Sequence, residues 1–290
     1  MTYDPQPPLS SPPGVERLPE GPGGPGHLAL VGGSEWSAGC EGFDQDLLRA
    51  SGTSEVLVLP TAAAYWHPDR AVATAASYFS AFGASVKACM VLRRADAEDK
   101  ANAGTVRAAR FVYVAGGSVL HLRSVLKASP VWDALVEAWS SGAVLAGSSA
   151  GAMVFGDAMV DPRGGALTLG LGLLPQLAVL PHANNWSEEK THRTVRLASR
   201  GLRIAAIDER TALVRAPDGQ WRQAGVGGAT IWLDGRRVAL EALASGSQGP
   251  GGPAGLGGPG GLGGPGGVAG PGPGEPAAAG TASADSAPGS

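Results

Sequence analysis

The stretch Gly147-Ser148-Ser149-Ala150-Gly151 sets a serine between small residues, after the apolar run 143–146 and ahead of a second one, 152–155. A strand that ends in Gly-x-Ser-x-Gly and turns straight into a helix lifts the serine hydroxyl above the sheet edge. The helix start then offers free N–H groups to developing negative charge. The chemistry this suits is nucleophilic attack on a carbonyl carbon. The same five residues would equally suit a plain close crossing of strand and helix, so the remaining members of a catalytic set must decide.

A serine nucleophile needs a base, and the base needs a partner that orients it. Of the five histidines, His27 borders a Pro/Gly-rich tail, His67 starts a helix after Tyr65-Trp66, His121 flanks a helix, and His192 lies in the polar helix 187–197. His182 differs. It follows the apolar run 177–180 through Pro181, which places it at a strand end beside Asn184 and Asn185. The acid should stand at another strand end. The run 202–207 terminates in Asp208-Glu209-Arg210, and either acid could take the role, but only one of them, because neighbouring residues at a strand end point to opposite sides. Asp157 and Asp161, in the loop expected after the serine helix, are rivals.

The elements that must position these residues alternate along the chain. Strand-like runs at 28–31, 55–59, 85–92, 111–114 and 143–146 are separated by helical patterns at 43–50, 68–82, 96–109, 119–127 and 131–140. Continuous apolar strands between amphipathic helices specify a doubly wound α/β fold, a mostly parallel sheet with helices on both faces. Ligands of such sheets bind beyond the carboxyl ends of the strands, where Gly32-Gly33, Gly116-Gly117 and Ser149 all fall. Neither Gly-Gly pair forms a dinucleotide fingerprint, so no nucleotide cofactor is expected.

Composition bounds the rest. The chain has 290 residues, a net charge of −3 and two cysteines. There is no basic stripe for nucleic acid, no disulfide framework, and no expected metal or cofactor. No apolar run reaches membrane-spanning length and the start lacks a signal-peptide pattern, so the expectation is a soluble cytoplasmic protein. Residues 1–26 and 244–290 are dominated by Gly, Pro, Ala and Ser and read as disordered tails around a folded domain at 27–243. Glycine recurs at every third position from Gly246 to Gly270, the collagen register, but extra glycines and sparse prolines favour a flexible segment.

Four motifs, in order, resemble those of the dipeptidase E and cyanophycinase family: Gly116-Gly117 after a strand, Gly147-Ser148-Ser149-Ala150-Gly151-Ala152, Pro181-His182, and Ile207-Asp208-Glu209-Arg210-Thr211-Ala212-Leu213. The resemblance covers the folded part from His27 to about Arg237. It implies a serine peptidase on a class I glutamine amidotransferase-like fold. In that family's terms Ser149 is the nucleophile, His182 the base and Glu209 its orienting carboxylate, with Gly117 and Ala150 supplying the oxyanion-hole N–H groups. Serine rather than cysteine at the elbow disfavours glutamine amidotransfer.

Departures from the family bear on substrate. Cyanophycinase-like sequences follow Gly-Gly with an acid and a glutamine, where this chain has Ser118-Val119. They also place Asp-Gln before the histidine, where it has Leu180-Pro181. Pro181-His182 followed by asparagine is closer to dipeptidase E, whose members cleave dipeptides with an N-terminal aspartate. Such a substrate carboxylate needs a cation. Lys190, His192 and Arg193 are the candidates, with Asn184 and Asn185 as further substrate contacts. The expected partner is a small peptide, with no membrane or nucleic acid and with a homodimer allowed. A catalytically inactive fold that binds a small ligand is the alternative.

Overall fold

A computed structural model of the chain describes residues 24–161 and 165–246. Most of the two tails, and with them the triplet-glycine register beyond Gly246, lies outside the described residues. No described helix is long and apolar enough to cross a membrane.

Five parallel strands open the fold: β1 (Leu28–Val31), β2 (Glu55–Leu59), β3 (Ser85–Ala88), β4 (Phe111–Val114) and β5 (Val144–Ser148). Between them lie α1 (Glu41–Ser51), α2 (Pro68–Ser80), α3 (Arg94–Glu98), α4 (Lys100–Ala108), α5 (Val119–Leu126) and α6 (Pro130–Ser140). Strands β1 and β4 are apolar and buried at every position because the sheet is covered twice. Leu28 and Leu30 face one cluster of buried side chains, Ala29 and Val31 the other. Serine starts two of these helices through its side chain. Ser118 accepts from the His121 N–H and Ser129 from the Trp132 N–H.

Two expected elements come out differently. The helix expected over 96–109 is two helices. Asp96 spends its carboxylate on the N–H groups of Leu92 and Arg93, and Asp99 leaves helical geometry to cap α4 through the Ala101 N–H. The strand expected over 85–92 pairs only as far as Ala88. Beyond it, Cys89 is a buried thiol whose pKa burial pushes up to about 11.

After β5 comes the short α7 (Ala150–Val154), and the chain then builds a second sheet that the sequence analysis does not anticipate. Its strands are β6 (Gly156–Val160), β7 (Leu167–Leu169), β8 (Leu174–Leu180), β9 (Arg203–Ile207), β12 (Ala229–Leu233) and β13 (Arg236–Val238), with α8 (Glu188–Leu197) between β8 and β9. The order is β13-β12-β9-β8-β6-β7, with β6, β8 and β9 parallel. Between β9 and β12 the chain returns to the first sheet. There β10 (Thr211–Arg215) adds antiparallel to β1 and β11 (Trp221–Gly225) antiparallel to β10, completing the order β11-β10-β1-β5-β4-β2-β3. Asp157 therefore belongs to strand β6 and not to a loop, and its carboxylate accepts the Gln176 N–H at 2.6 Å.

The Gly32-Gly33 turn after β1 fastens the two sheets at their carboxyl ends. Gly32 donates to the Thr211 carbonyl, and the carbonyls of Gly32 and Gly33 accept the N–H groups of His182 and Arg210. A Cβ on Gly32 would lie 2.1 Å from the Asp208 carbonyl oxygen, so only glycine lets the segments approach this closely.

A polar group is sealed far from solvent beneath this end. Asp44 on α1 is fully buried and accepts the Tyr78 hydroxyl at 3.0 Å. Burial pushes its carboxyl well above the usual carboxylate range.

Candidate active site

Ser149 sits between β5 and α7 at φ 49°, ψ −108°, a conformation that side chains rarely adopt. The turn is tight because glycine stands on either side. A Cβ on Gly147 would lie 2.6 Å from the Gly151 carbonyl carbon, and one on Gly151 would lie 2.3 Å from the Val114 carbonyl oxygen. The Ser149 N–H is tied to the Val31 carbonyl at 2.9 Å. Its hydroxyl is thereby held partly exposed, whereas Ser148, one residue earlier, is fully buried.

The Ser149 hydroxyl lies 3.0 Å from His182 Nε2. On the far side of the ring, His182 Nδ1 lies 2.8 Å from Glu209 Oε1. The carboxylate fixes the tautomer. Nδ1 carries the proton it donates to Glu209, which leaves Nε2 free to accept the serine proton. The three residues come from two sheets. Ser149 follows β5 of the first, and His182 and Glu209 follow β8 and β9 of the second.

His182 itself has φ 53°, and its ring lies against Gly33. A Cβ there would sit 2.2 Å from His182 Cε1. Gly33 is thus the space the imidazole occupies.

Between the two adjacent acids the tertiary structure chooses Glu209. Asp208 faces away and accepts the Gly228 N–H at 2.8 Å. Glu209 has further partners. Its carboxylate accepts the Asn185 side-chain N–H at 3.0 Å, and its backbone N–H donates to Asn184 Oδ1 at 2.9 Å. The hydrogen bond from His182 holds its carboxyl below the usual carboxylate range, assisted by the Ser34 hydroxyl and opposed by partial burial. Asn184 and Asn185, expected to meet substrate, each bond Glu209, and so help to fix the carboxylate that meets His182.

Two N–H groups without a protein acceptor among the described residues flank the serine, those of Gly117 and Ala150. Gly117 has φ +139°, and a Cβ on it would lie 2.3 Å from the Ala62 carbonyl oxygen. The Ser118 N–H donates to that same carbonyl at 2.8 Å.

Sequence reading missed Glu35. Its carboxylate accepts the Gly116 N–H at 2.9 Å and the buried Ser148 hydroxyl at 2.7 Å. One side chain therefore ties the Gly116-Gly117 turn to the serine turn, setting the spacing of the two N–H donors. The signal was present, since Ser34-Glu35 directly follow the Gly32-Gly33 turn at a strand's carboxyl end.

A cleft of about 410 Å³ opens over Ser149 and His182, walled by Trp66, Val119, Leu120, Met153, Pro181 and Trp186. The cations expected to hold a substrate carboxylate all lie on α8, and none is among the residues lining the cleft. Lys190 stacks its ammonium 3.8 Å from the Trp186 ring centre, His192 meets the Trp232 ring edge-on, and Arg193 is exposed. Among the described residues no three His, Cys, Asp or Glu side chains are grouped as a metal site would require.

Comparison with known proteins adds to this geometry. The model of peptidase family S51 matches residues 28–221. Cyanophycinases from Synechococcus elongatus and Thermosynechococcus vestitus are each 30% identical over 216 residues, covering 68% of this chain. The chain spans 64% of the length of these relatives. A peptidase from an acI-B1 Actinobacterium superposes with a TM-score of 0.67 at 27% identity, covering 75% of this chain and 95% of its own. A putative peptidase E from Listeria monocytogenes shares the fold, with a TM-score of 0.50 at 19% identity over 74% of this chain and 100% of its own.

Proposed function

We propose, from the fact that the chain belongs to peptidase family S51, that it is a serine-type peptidase acting on short peptides through an acyl-enzyme on Ser149. The observation that carries this reading is the unbroken relay from Ser149 through His182 to Glu209, with contacts of 3.0 and 2.8 Å.

In this mechanism His182 Nε2 takes the Ser149 proton as Oγ bonds to the peptide carbonyl carbon. Glu209 stabilises the imidazolium that forms. The carbonyl oxygen becomes an oxyanion between the Gly117 and Ala150 N–H groups, an arrangement worth about 3 kcal/mol per donor. As the C–N bond breaks, His182 returns the proton to the leaving amine. Water then enters, loses a proton to His182 and bonds to the acyl carbon; as the ester C–O bond breaks, His182 returns that proton to Ser149 Oγ and the acyl group leaves as a free carboxylic acid.

The likeness to dipeptidase E brings aspartyl and β-aspartyl dipeptides into view as substrates. The cation they need is absent from the described cleft lining, so they serve here as the comparison series for a short-peptide peptidase. The test is intact-mass analysis after incubation with a fluorophosphonate. A single adduct that persists in Ser148→Ala and is lost in Ser149→Ala is expected. A folded protein that forms no adduct would instead be a ligand-binding member of the fold, and the peptidase reading would fall.

A further inference from the structure

We propose that the cleft beside Ser149 is an apolar specificity slot, which selects short peptides carrying an aromatic or large aliphatic side chain next to the scissile bond. This rests on the peptidase reading and narrows its substrate class.

The cleft's described lining is Trp66, Gly117, Ser118, Val119, Leu120, Ser149, Met153, Pro181, His182 and Trp186. Apart from the two hydroxyls and the imidazole, its side chains are apolar, and none carries a fixed charge. A carboxylate entering it would shed water with no cation among the lining residues to meet it, the Lys190 ammonium being stacked on the Trp186 ring, a heavy cost in such surroundings. An apolar side chain gains from the same transfer. The volume of about 410 Å³ falls in the range of ordinary small-ligand pockets and has room for such a side chain together with the peptide bond beside the serine.

Two of the lining residues are exposed where an exposed position should be polar. Trp66 keeps 62% of its surface accessible and Leu120 keeps 46%. Scattered exposed apolar residues need no explanation, but an indole and a leucine bordering a nucleophile form a patch that substrate would cover.

The slot is also fixed in advance of substrate. The Trp66 N–H bonds the Ala63 carbonyl at 2.8 Å, and Ala62 in the same turn holds Ser118 at the start of α5. Tyr65 packs on His121 with ring centres 4.7 Å apart, and His121 Nε2 lies 2.8 Å from the Leu92 carbonyl oxygen. The segment bearing Trp66 is thereby fastened to the helix bearing Leu120. On the opposite wall the Lys190 ammonium stacks on the Trp186 indole. Walls held by their neighbours lose little freedom on binding, which favours discrimination.

The experiment is a comparison of kcat/KM for Phe-Ala, Ala-Phe, Ala-Ala, Asp-Ala and β-aspartyl-alanine, in the wild type, Trp66→Ala and Trp66→Phe. The wild type is expected to prefer the better Phe dipeptide over Ala-Ala, and over both aspartyl dipeptides, by at least about tenfold. Trp66→Ala should collapse the Phe-to-Ala ratio toward one, and Trp66→Phe should restore most of it. A merely structural loss would lower every substrate together and leave the ratio intact. A wild type that forms the Ser149 adduct yet prefers either aspartyl dipeptide overturns the slot and leaves the peptidase standing. A folded wild type with no adduct overturns both.

Discussion

Gly33→Ala tests the active-site geometry without replacing a reacting group. The new Cβ would lie 2.2 Å from His182 Cε1, 2.6 Å from Nδ1 and 2.7 Å from Nε2. Carbon atoms in ordinary contact stay about 3.5 Å or more apart, so the ring must retreat by about 1.3 Å. The Ser149–His182 contact, now 3.0 Å, would then exceed the reach of roughly 3.2 Å that proton transfer requires. A misplacement of this size lowers the rate by about 100-fold or more. The substitution also puts a side chain at φ +117°, costing about 1–3 kcal/mol of stability. For a folded unit of this size that is about 2–12 °C in Tm. Gly52→Ala separates the two effects. Gly52 has φ 65° and nothing within 4 Å of its virtual Cβ, so it carries the backbone strain without the clash. Peptide hydrolysis and the rate of fluorophosphonate labelling should both fall in Gly33→Ala and stay near wild type in Gly52→Ala, with melting followed in parallel. A folded Gly33→Ala within threefold of wild type would refute the reasoning, as would an equal loss in Gly52→Ala.

Glu209→Gln should lower kcat by up to about 10⁴-fold, read by steady-state hydrolysis, because the imidazolium loses its negative partner and the tautomer its anchor. Its stability effect has a defined pH sense. A carboxyl whose folded pKa is depressed stabilises the fold above its unfolded pKa, and that contribution is lost as pH falls through the folded value. Melting curves should therefore show Glu209→Gln less stable than wild type at neutral pH, with the gap closing at acid pH below the usual carboxylate range. Asp44→Asn should behave oppositely. The folded carboxyl titrates well above its unfolded value because burial disfavours the charge, so the folded state holds its proton longer and wild-type stability declines as pH rises above the unfolded value. The amide does not titrate, so Asp44→Asn should melt higher than wild type at pH 8 and near it at pH 4. A gap that does not grow with pH would refute this.

Some of this protein was determined by local sequence alone. The parallel strands were readable because a sheet covered on both faces demands continuous apolar runs such as Leu28–Val31 and Phe111–Val114. The serine turn was readable because the clashes that require Gly147 and Gly151 involve backbone a few residues away or on the adjoining strand. Strand-end position singled out His182 for the same local reason. Other features depended on segments far apart in the chain. The choice of Glu209 over Asp208 follows from which side of β9's end meets His182, and that depends on how β9 pairs with β8. Of the second sheet, β8 and β9 were legible as the apolar runs 177–180 and 202–207, whereas β7, β12 and β13 are short and partly exposed, so their apolar pattern is weak and the sheet they complete was not legible. Glu35 lies 113 residues from the Ser148 hydroxyl it accepts, and Asn185 lies 24 from Glu209. The cleft is assembled from Trp66, Leu120, Met153 and Trp186 on four separate segments. Local spacing could single out Ser149 and His182, the serine and histidine that meet at 3.0 Å, because steric and pairing rules act on neighbours. What surrounds them, and so which side chain a substrate may carry, was decided only when the two sheets met.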